Sequence, residues 1–152
     1  MKIYLARHAE YASTLEGELN EEGISHVHAL VKWLKPLNLS IANIYHSGLL
    51  RAEQTAQLLA QGFISSEPPL FKQGLTPVDD VTIFLQEISV EEKDILVVGH
   101  LPFLSKLVSK MIINDEHKEV VAFHPATLVC MEQIELDRWI LEWMISPSLI
   151  NI

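Results

Sequence analysis

Three short strings in this 152-residue chain bring together side chains that can do chemistry. They are Ala6-Arg7-His8-Ala9-Glu10, Ser47-Gly48-Leu49-Leu50-Arg51-Ala52-Glu53-Gln54-Thr55, and Val98-Gly99-His100-Leu101-Pro102. The chain has three arginines, and two of them, Arg7 and Arg51, fall in these strings. The third, Arg138, sits in a polar turn and is expected to be solvated. Guanidinium groups grip phosphoryl oxygens through a planar fork and stay charged at any working pH. A neutral imidazole can attack phosphorus, and the covalent intermediate splits one hard displacement into two easier ones. A second imidazole can donate to the phosphoryl oxygens, where electrostatics offsets charge in a loose transition state. Amides opening a helix near Arg51 add to such an anion site, and no metal or cofactor is required. Taken singly, each string has a plainer reading. Arg7-His8 could be a surface loop, His100 a helix cap, and Arg51 a helix-surface cation paired with Glu53 or Glu10.

What decides between these readings is whether the fold brings the strings together. Short apolar runs alternate along the chain with segments of helical period, the pattern of βαβ units. Lys2–Ala6 reads as a buried strand, Ile41–His46 as a second, Leu70–Lys72 as a short one, and Ile95–Val98 as a central one. Glu21 to about Lys35 reads as a helix with Asn20 as N-cap, Ile24, Val27, Leu30, Val31 and Leu34 on its apolar face, and Pro36 as its stop. Further helices are expected from about Leu49 to Ala60, from Thr76 as N-cap with Pro77 at its first position to about Ile88, and from Pro102 through Ile112. From Thr127 to Met144 the period drops to two, with a turn near Leu136-Asp137-Arg138, which predicts a C-terminal antiparallel pair. The fold class expected is α/β, a three-layer sandwich of a mostly parallel sheet with helices on both faces and an antiparallel C-terminal edge. All three strings then begin where a strand hands over to a loop or helix. In open α/β sheets the carboxyl ends of the strands form the ligand crevice, so the strings can converge.

Length and composition agree with one domain over residues 1–152 and with a substantial core. Apolar residues make up 49% and charged ones 20%, which excludes a disordered chain. The net charge of −9 speaks against nucleic acid and anionic membranes, because both need clustered Lys or Arg. It also bears on very anionic substrates, although only as steering by the whole molecule. The N-terminus has no signal-peptide core and no apolar run reaches the ~20 residues of a membrane span, so a cytoplasmic protein is expected. A single cysteine, Cys130, excludes a disulfide scaffold and fits a buried, inert thiol.

Together the three strings resemble the histidine phosphatase superfamily, also called phosphoglycerate-mutase-like, and within it the short SixA-type phosphohistidine phosphatases. The family is marked by Arg-His-Gly after the first strand, a downstream arginine and a later histidine; Arg-Ala-Glu-Gln-Thr, Gly-His-Leu-Pro and Leu75-Thr76-Pro77 resemble the SixA branch. The resemblance runs from Lys2 to about Pro147. It implies that His8 is the nucleophile that becomes phosphohistidine, and that Arg7, Arg51 and His100 surround the phosphoryl group. It implies further that Ser47 helps to shape the pocket. Ala9 departs from the family's glycine, and Asn20 from its common threonine. Larger members use a mid-chain carboxylic acid as general acid; the candidates here are Asp79 and Asp80, both where helix capping alone would place an acid.

The substrate this implies is a phosphohistidine-bearing phosphotransfer protein, reached by an uncapped pocket, with the chain working as a monomer. Two other functions fit the same fold: a phosphatase for small phosphate esters, and an interaction module without catalysis, which predicts the loss of at least one of Arg7, His8, Arg51 and His100, whereas all four are present. The remaining histidines carry weaker signals. His26 and His28 lie two apart on one helix and face different ways, against a metal pair. His46 and His124 are candidates for the rim of the crevice. Trp33, Trp139 and Trp143 fall at core periods.

Overall fold

The apolar runs become strands and the segments of helical period become helices. The computed structural model describes residues 1–150, in the order β1 (Lys2–Arg7), α1 (Glu21–Leu34), β2 (Asn43–His46), α2 (Leu50–Leu59), β3 (Leu70–Phe71), α3 (Val81–Ile88), β4 (Ile95–Gly99), α4 (Phe103–Ile113), β5 (Leu128–Glu135) and β6 (Arg138–Ile145). One six-stranded sheet results, ordered β3-β2-β4-β1-β5-β6. β3, β2, β4 and β1 run parallel, whereas β5 pairs antiparallel with both β1 and β6. The α/β class, the mostly parallel sheet and the antiparallel C-terminal edge are as the sequence predicts.

Covering both faces of the sheet explains why β1 and β4 are uninterrupted apolar runs. Alternate residues Tyr4, Ala6, Ile44, Leu96 and Val98 meet Val27, Leu30 and Leu34 of α1 and Ala52, Ala56 and Leu59 of α2. The intervening residues Ile3, Leu5, Ile95 and Val97 meet Phe84 and Ile88 of α3 and Phe103, Leu104 and Leu107 of α4. Trp33 and Trp143 pack edge to face at 5.6 Å, and Tyr4 lies 5.9 Å from Trp143. Cys130 is a buried free thiol. Among the described residues no helix is long and apolar enough to cross a membrane.

Some boundaries move for local reasons. Asn20 caps α1 as expected, its side chain accepting from Gly23 N at 2.8 Å. Pro36 lies in a single 3₁₀ turn, Lys35–Leu37, that ends the helix one residue earlier than expected. Ile24 is 38% exposed and not part of the core face. β2 starts at Asn43, because Ile41 N bonds to Ile64 O instead of joining the sheet. Thr76 does not cap α3. The Asp79 carboxylate accepts from both Thr76 N (2.8 Å) and Thr76 Oγ1 (2.6 Å), closing a turn, and Asp80 caps the helix through Thr82 N (2.8 Å).

Candidate active site

β1, β2 and β4 end side by side. Arg7 pairs with Gly99 and His46 with Val98 in the sheet register, so the next residues, His8, Ser47 and His100, leave the sheet together. The His8 and His100 ring centroids lie 5.0 Å apart at 46°. Arg51, in the first turn of α2, joins them: its field and that of Arg7 are felt by both imidazoles. Strings some fifty residues apart in sequence therefore converge at one crevice, where the parallel strands end.

His8 is held from both sides. Its amide donates to Gly99 O at 3.0 Å and its carbonyl accepts from Ala126 N at 3.2 Å. Its Nδ1 lies 2.9 Å from Ala9 O. A carbonyl only accepts, so Nδ1 carries the proton and Nε2 keeps its lone pair. The residue is 5% exposed. Burial, reinforced by Arg51 and Arg7 and opposed by the bond to Ala9 O, lowers its pKa to about 4. The ring is thus neutral at neutral pH, and Nε2 has a lone pair available for attack.

His100 is oriented by Ser47. Ser47 Oγ accepts from Leu49 N at 3.3 Å and lies 2.5 Å from His100 Nε2. The hydroxyl can give its own proton to Nε2, and in that arrangement the ring proton sits on Nδ1. Burial, then His8, Arg51 and Arg7, push the His100 pKa down to about 3. A neutral imidazole with Nδ1–H is a donor without charge.

The arginines differ in their anchors. Arg7 Nη1 donates to Phe123 O at 2.9 Å, and burial lowers its pKa from the ordinary value. The Arg51 guanidinium lies 4.6 Å from the Tyr11 ring centroid. Arg7 Nε, Arg51 Nε and His100 Nδ1 are all buried without a protein partner. Unpartnered buried polar atoms are costly, and side chains that meet at one crevice supply these three, which suits an acceptor bound there. An oxyanion with several oxygens suits them.

Supporting contacts fix the frame. Thr55 Oγ1 donates to Arg51 O at 2.7 Å and accepts from Ala9 N at 3.0 Å, tying the His8 loop to α2. Gly48 turns the chain at φ +88°, and a β-carbon there would lie 2.9 Å from the Phe71 ring. Gly23 packs so closely under the His8 loop that a β-carbon would come within 2.1 Å of Glu10 O.

Of the candidates from sequence, Arg7, His8, Ser47, Arg51 and His100 come together here. His46 is buried beneath them, its Nδ1 accepting from Gly48 N at 3.1 Å, which steadies the Ser47 turn. His124 is exposed in a small cleft with Glu10 and His26. Asp79 and Ser47 share the walls of a cleft of about 470 Å³ between β3 and α3, while Asp80 is exposed at its cap position. Among the described residues no group of three His, Cys, Asp or Glu side chains is placed to hold a metal. Tyr11 and Thr55 were not singled out by sequence. Thr55 lies within the second string, but Tyr11 lies in a loop without periodicity, and only its nearness to Arg7-His8 points to it.

Residues 3–75 match the family model described as histidine phosphatase superfamily (branch 1). The chain is 24% identical to the phosphohistidine phosphatase SixA of Escherichia coli (strain K12), over 97% of this chain and 94% of that one. A Picosynechococcus protein of uncharacterised function is 31% identical over 116 residues, 70% of each chain. In fold the chain is similar to the protein histidine phosphatase SixA solved with tungstate, with TM-score 0.86 at 22% identity, covering 97% of this chain and 98% of that one.

Proposed function

The chain belongs to the histidine phosphatase superfamily, and from this we propose that it is a cofactor-independent phosphatase that removes phosphate from phosphohistidine on a phosphotransfer protein. His8 is its nucleophile, and Arg7, Arg51, His100 and Ser47 form the phosphoryl site. The observation that carries this reading is that His8, whose Nε2 keeps a free lone pair, meets His100, Arg7 and Arg51 at one crevice, each of these three with a buried nitrogen that has no protein partner.

In the first step His8 Nε2 attacks phosphorus while the bond from phosphorus to the substrate nitrogen breaks, its electron pair returning to that nitrogen. A phosphoimidazole protonated on its other ring nitrogen then leaves as neutral imidazole. No acid need protonate the departing atom, so the Asp79 and Asp80 carboxylates need not reach it. The three donors stabilise charge on the equatorial oxygens as they do nothing for the uncharged leaving group. His8, phosphorylated on Nε2, keeps its Nδ1–H on Ala9 O and is itself a good leaving group. In the second step water attacks phosphorus, the bond to Nε2 breaks, its electrons return to the ring, and the water's proton ends on inorganic phosphate.

Several observations favour a macromolecular substrate. The site stands at the strand ends with exposed Gly48, Leu49 and Phe71 beside it, and the chain is acidic, suited to a partner with basic surface. Tungstate, the ligand in the related SixA structure, is a tetrahedral oxyanion like phosphate. In this reading the chain works as one domain and as a monomer in the cytoplasm.

The test is a trapping assay on wild type and His8→Ala. A label on the wild-type chain that is acid-labile and base-stable, absent from His8→Ala, is expected. Equal turnover by the two proteins would overturn the assignment of the nucleophile. Turnover of small esters but not of a phosphohistidine protein would point to the small-ester reading, and no turnover of either to an interaction module.

A further inference from the structure

We infer that Tyr11 is a positioning residue, which holds the Arg51 guanidinium over the phosphoryl site by its ring face. The inference rests on the reading of the site given above and extends it to a residue outside the three strings.

Arg51 has to meet a dianionic group, yet a long side chain left free would lose much of its rotamer entropy on doing so. A carboxylate partner could hold it but would cancel its field. Among the described residues the ion pairs are Lys2–Glu142, His26–Glu22 and Lys72–Glu87, and none involves Arg51. What it has instead is Tyr11, with the guanidinium carbon 4.6 Å from the ring centroid. The negative face of an aromatic ring attracts a cation without neutralising it. No protein acceptor takes up Nε of Arg51.

The ring is also placed against the nucleophile. Tyr11 and His8 meet edge to face, with centroids 5.3 Å apart at 74°. One side chain therefore sets the spacing between imidazole and guanidinium. The loop that carries it is braced: Tyr11 bridges Leu19 in antiparallel fashion, Ala12 N donates to Glu18 O at 2.7 Å, and Leu19 N donates to Gln54 Oε1 at 2.7 Å. Gln54 stands three residues from Arg51, on a neighbouring part of the α2 surface. The helix that presents Arg51 thus also anchors the loop that steadies it.

The test is orthovanadate binding by calorimetry, which needs no turnover, with kcat/KM on an aryl phosphate alongside. Tyr11→Phe keeps the ring face and is expected to stay within about three-fold of wild type, whereas Tyr11→Leu weakens vanadate binding roughly ten-fold. In an Arg51→Ala background the same Tyr11→Leu change is expected to cost less than two-fold, because the group it positions is gone. Three results would each overturn the inference: a full effect of Tyr11→Leu without Arg51, a loss in Tyr11→Phe as large as in Tyr11→Leu, or no loss in either. Tyr11 is 41% exposed; if Tyr11→Leu nonetheless misfolds by circular dichroism, Tyr11→Met takes its place with the same expectations. Failure of the underlying reading looks different: the wild type itself would bind no vanadate, and the inference would fall with it.

Discussion

Ser47 Oγ lies 2.5 Å from His100 Nε2, and this contact occupies one ring nitrogen of His100 and leaves Nδ1 as the one without a protein partner. The hydroxyl sits between the Leu49 amide at 3.3 Å and the imidazole, so the start of α2 is linked to the far side of the crevice through one oxygen. Ser47→Ala is expected to lower kcat/KM by roughly 10–100-fold, the cost of a misdirected buried hydrogen bond. Nitrogen NMR of the histidine rings checks the cause. His100 should carry its proton on Nδ1 in wild type and lose that preference in the variant. An unchanged tautomer would separate the loss of activity from Ser47's proposed role.

Protonation of the two rings gives a second prediction. Burial leads in lowering the pKa of both, from 6.5 to about 4 for His8 and about 3 for His100. An NMR titration should find both rings neutral down to about pH 5, and midpoints near 6.5 would contradict the site geometry. The sign for stability follows. Unfolded histidines take up protons near pH 6.5, while these two do so only near 4 and 3 when folded. Their neutral forms favour the folded chain fully above about pH 6.5, and that contribution is lost as pH falls toward 4 and 3.

The role proposed for Arg7 rests on shape as well as charge. Nη1 is engaged with Phe123 O at 2.9 Å, while Nε is buried without a protein partner. Lysine keeps the charge but has no second nitrogen in that position. Arg7→Lys should therefore lower kcat/KM roughly 100-fold with little change in melting temperature, read by steady-state kinetics and calorimetry.

Leaving-group chemistry supplies a fourth. The Asp79 carboxylate is taken up by Thr76 and the Asp80 carboxylate by the start of α3. An alkoxide must be protonated as it departs, whereas an imidazole or aryl oxide need not be. The enzyme should hydrolyse phosphohistidine and aryl phosphates with kcat/KM at least ten-fold above alkyl phosphates. Comparable values would show that an acid does reach the leaving group.

Gly23 offers a test of the frame. An alanine β-carbon would meet Glu10 O at 2.1 Å, so α1 and the loop after His8 must part. Overpacking of this kind costs about 1–3 kcal/mol, or a fall in Tm of about 3–10 °C for a chain of this length. Thermal unfolding measures it, and a drop in kcat/KM should accompany it, because Glu10 is two residues from His8.

The layout of the site could be read from sequence because Ile3–Ala6 and Ile95–Val98 are buried on both faces, and such runs can only be inner strands. Once they are inner strands, the residues just beyond them must share a crevice. Local chemistry was less legible where two signals compete. Thr76-Pro77 and Asp80 are both good helix starts, and the choice fell to Asp80 because Asp79 folds back on Thr76. Ile24 kept the helical period but lies in the first turn of α1, partly exposed, so periodicity overstated its burial. Tyr11 had no period at all. Its importance comes from a loop held by single hydrogen bonds across the chain, such as Leu19 to Gln54, which no local pattern encodes.

The His8 amide is bonded to Gly99 O, between the two strands at the centre of the sheet. To expose that amide to solvent the ends of β1 and β4 must part, while the loop with Tyr11 can open alone. The crevice is thus divided between two grades of local stability. The proposed nucleophile, His8, is tied to the ends of the central strands, whereas the Tyr11 ring against which Arg51 rests is carried by a loop held through single hydrogen bonds. Gentle heating should therefore degrade oxyanion capture before it disturbs the histidine that would be phosphorylated.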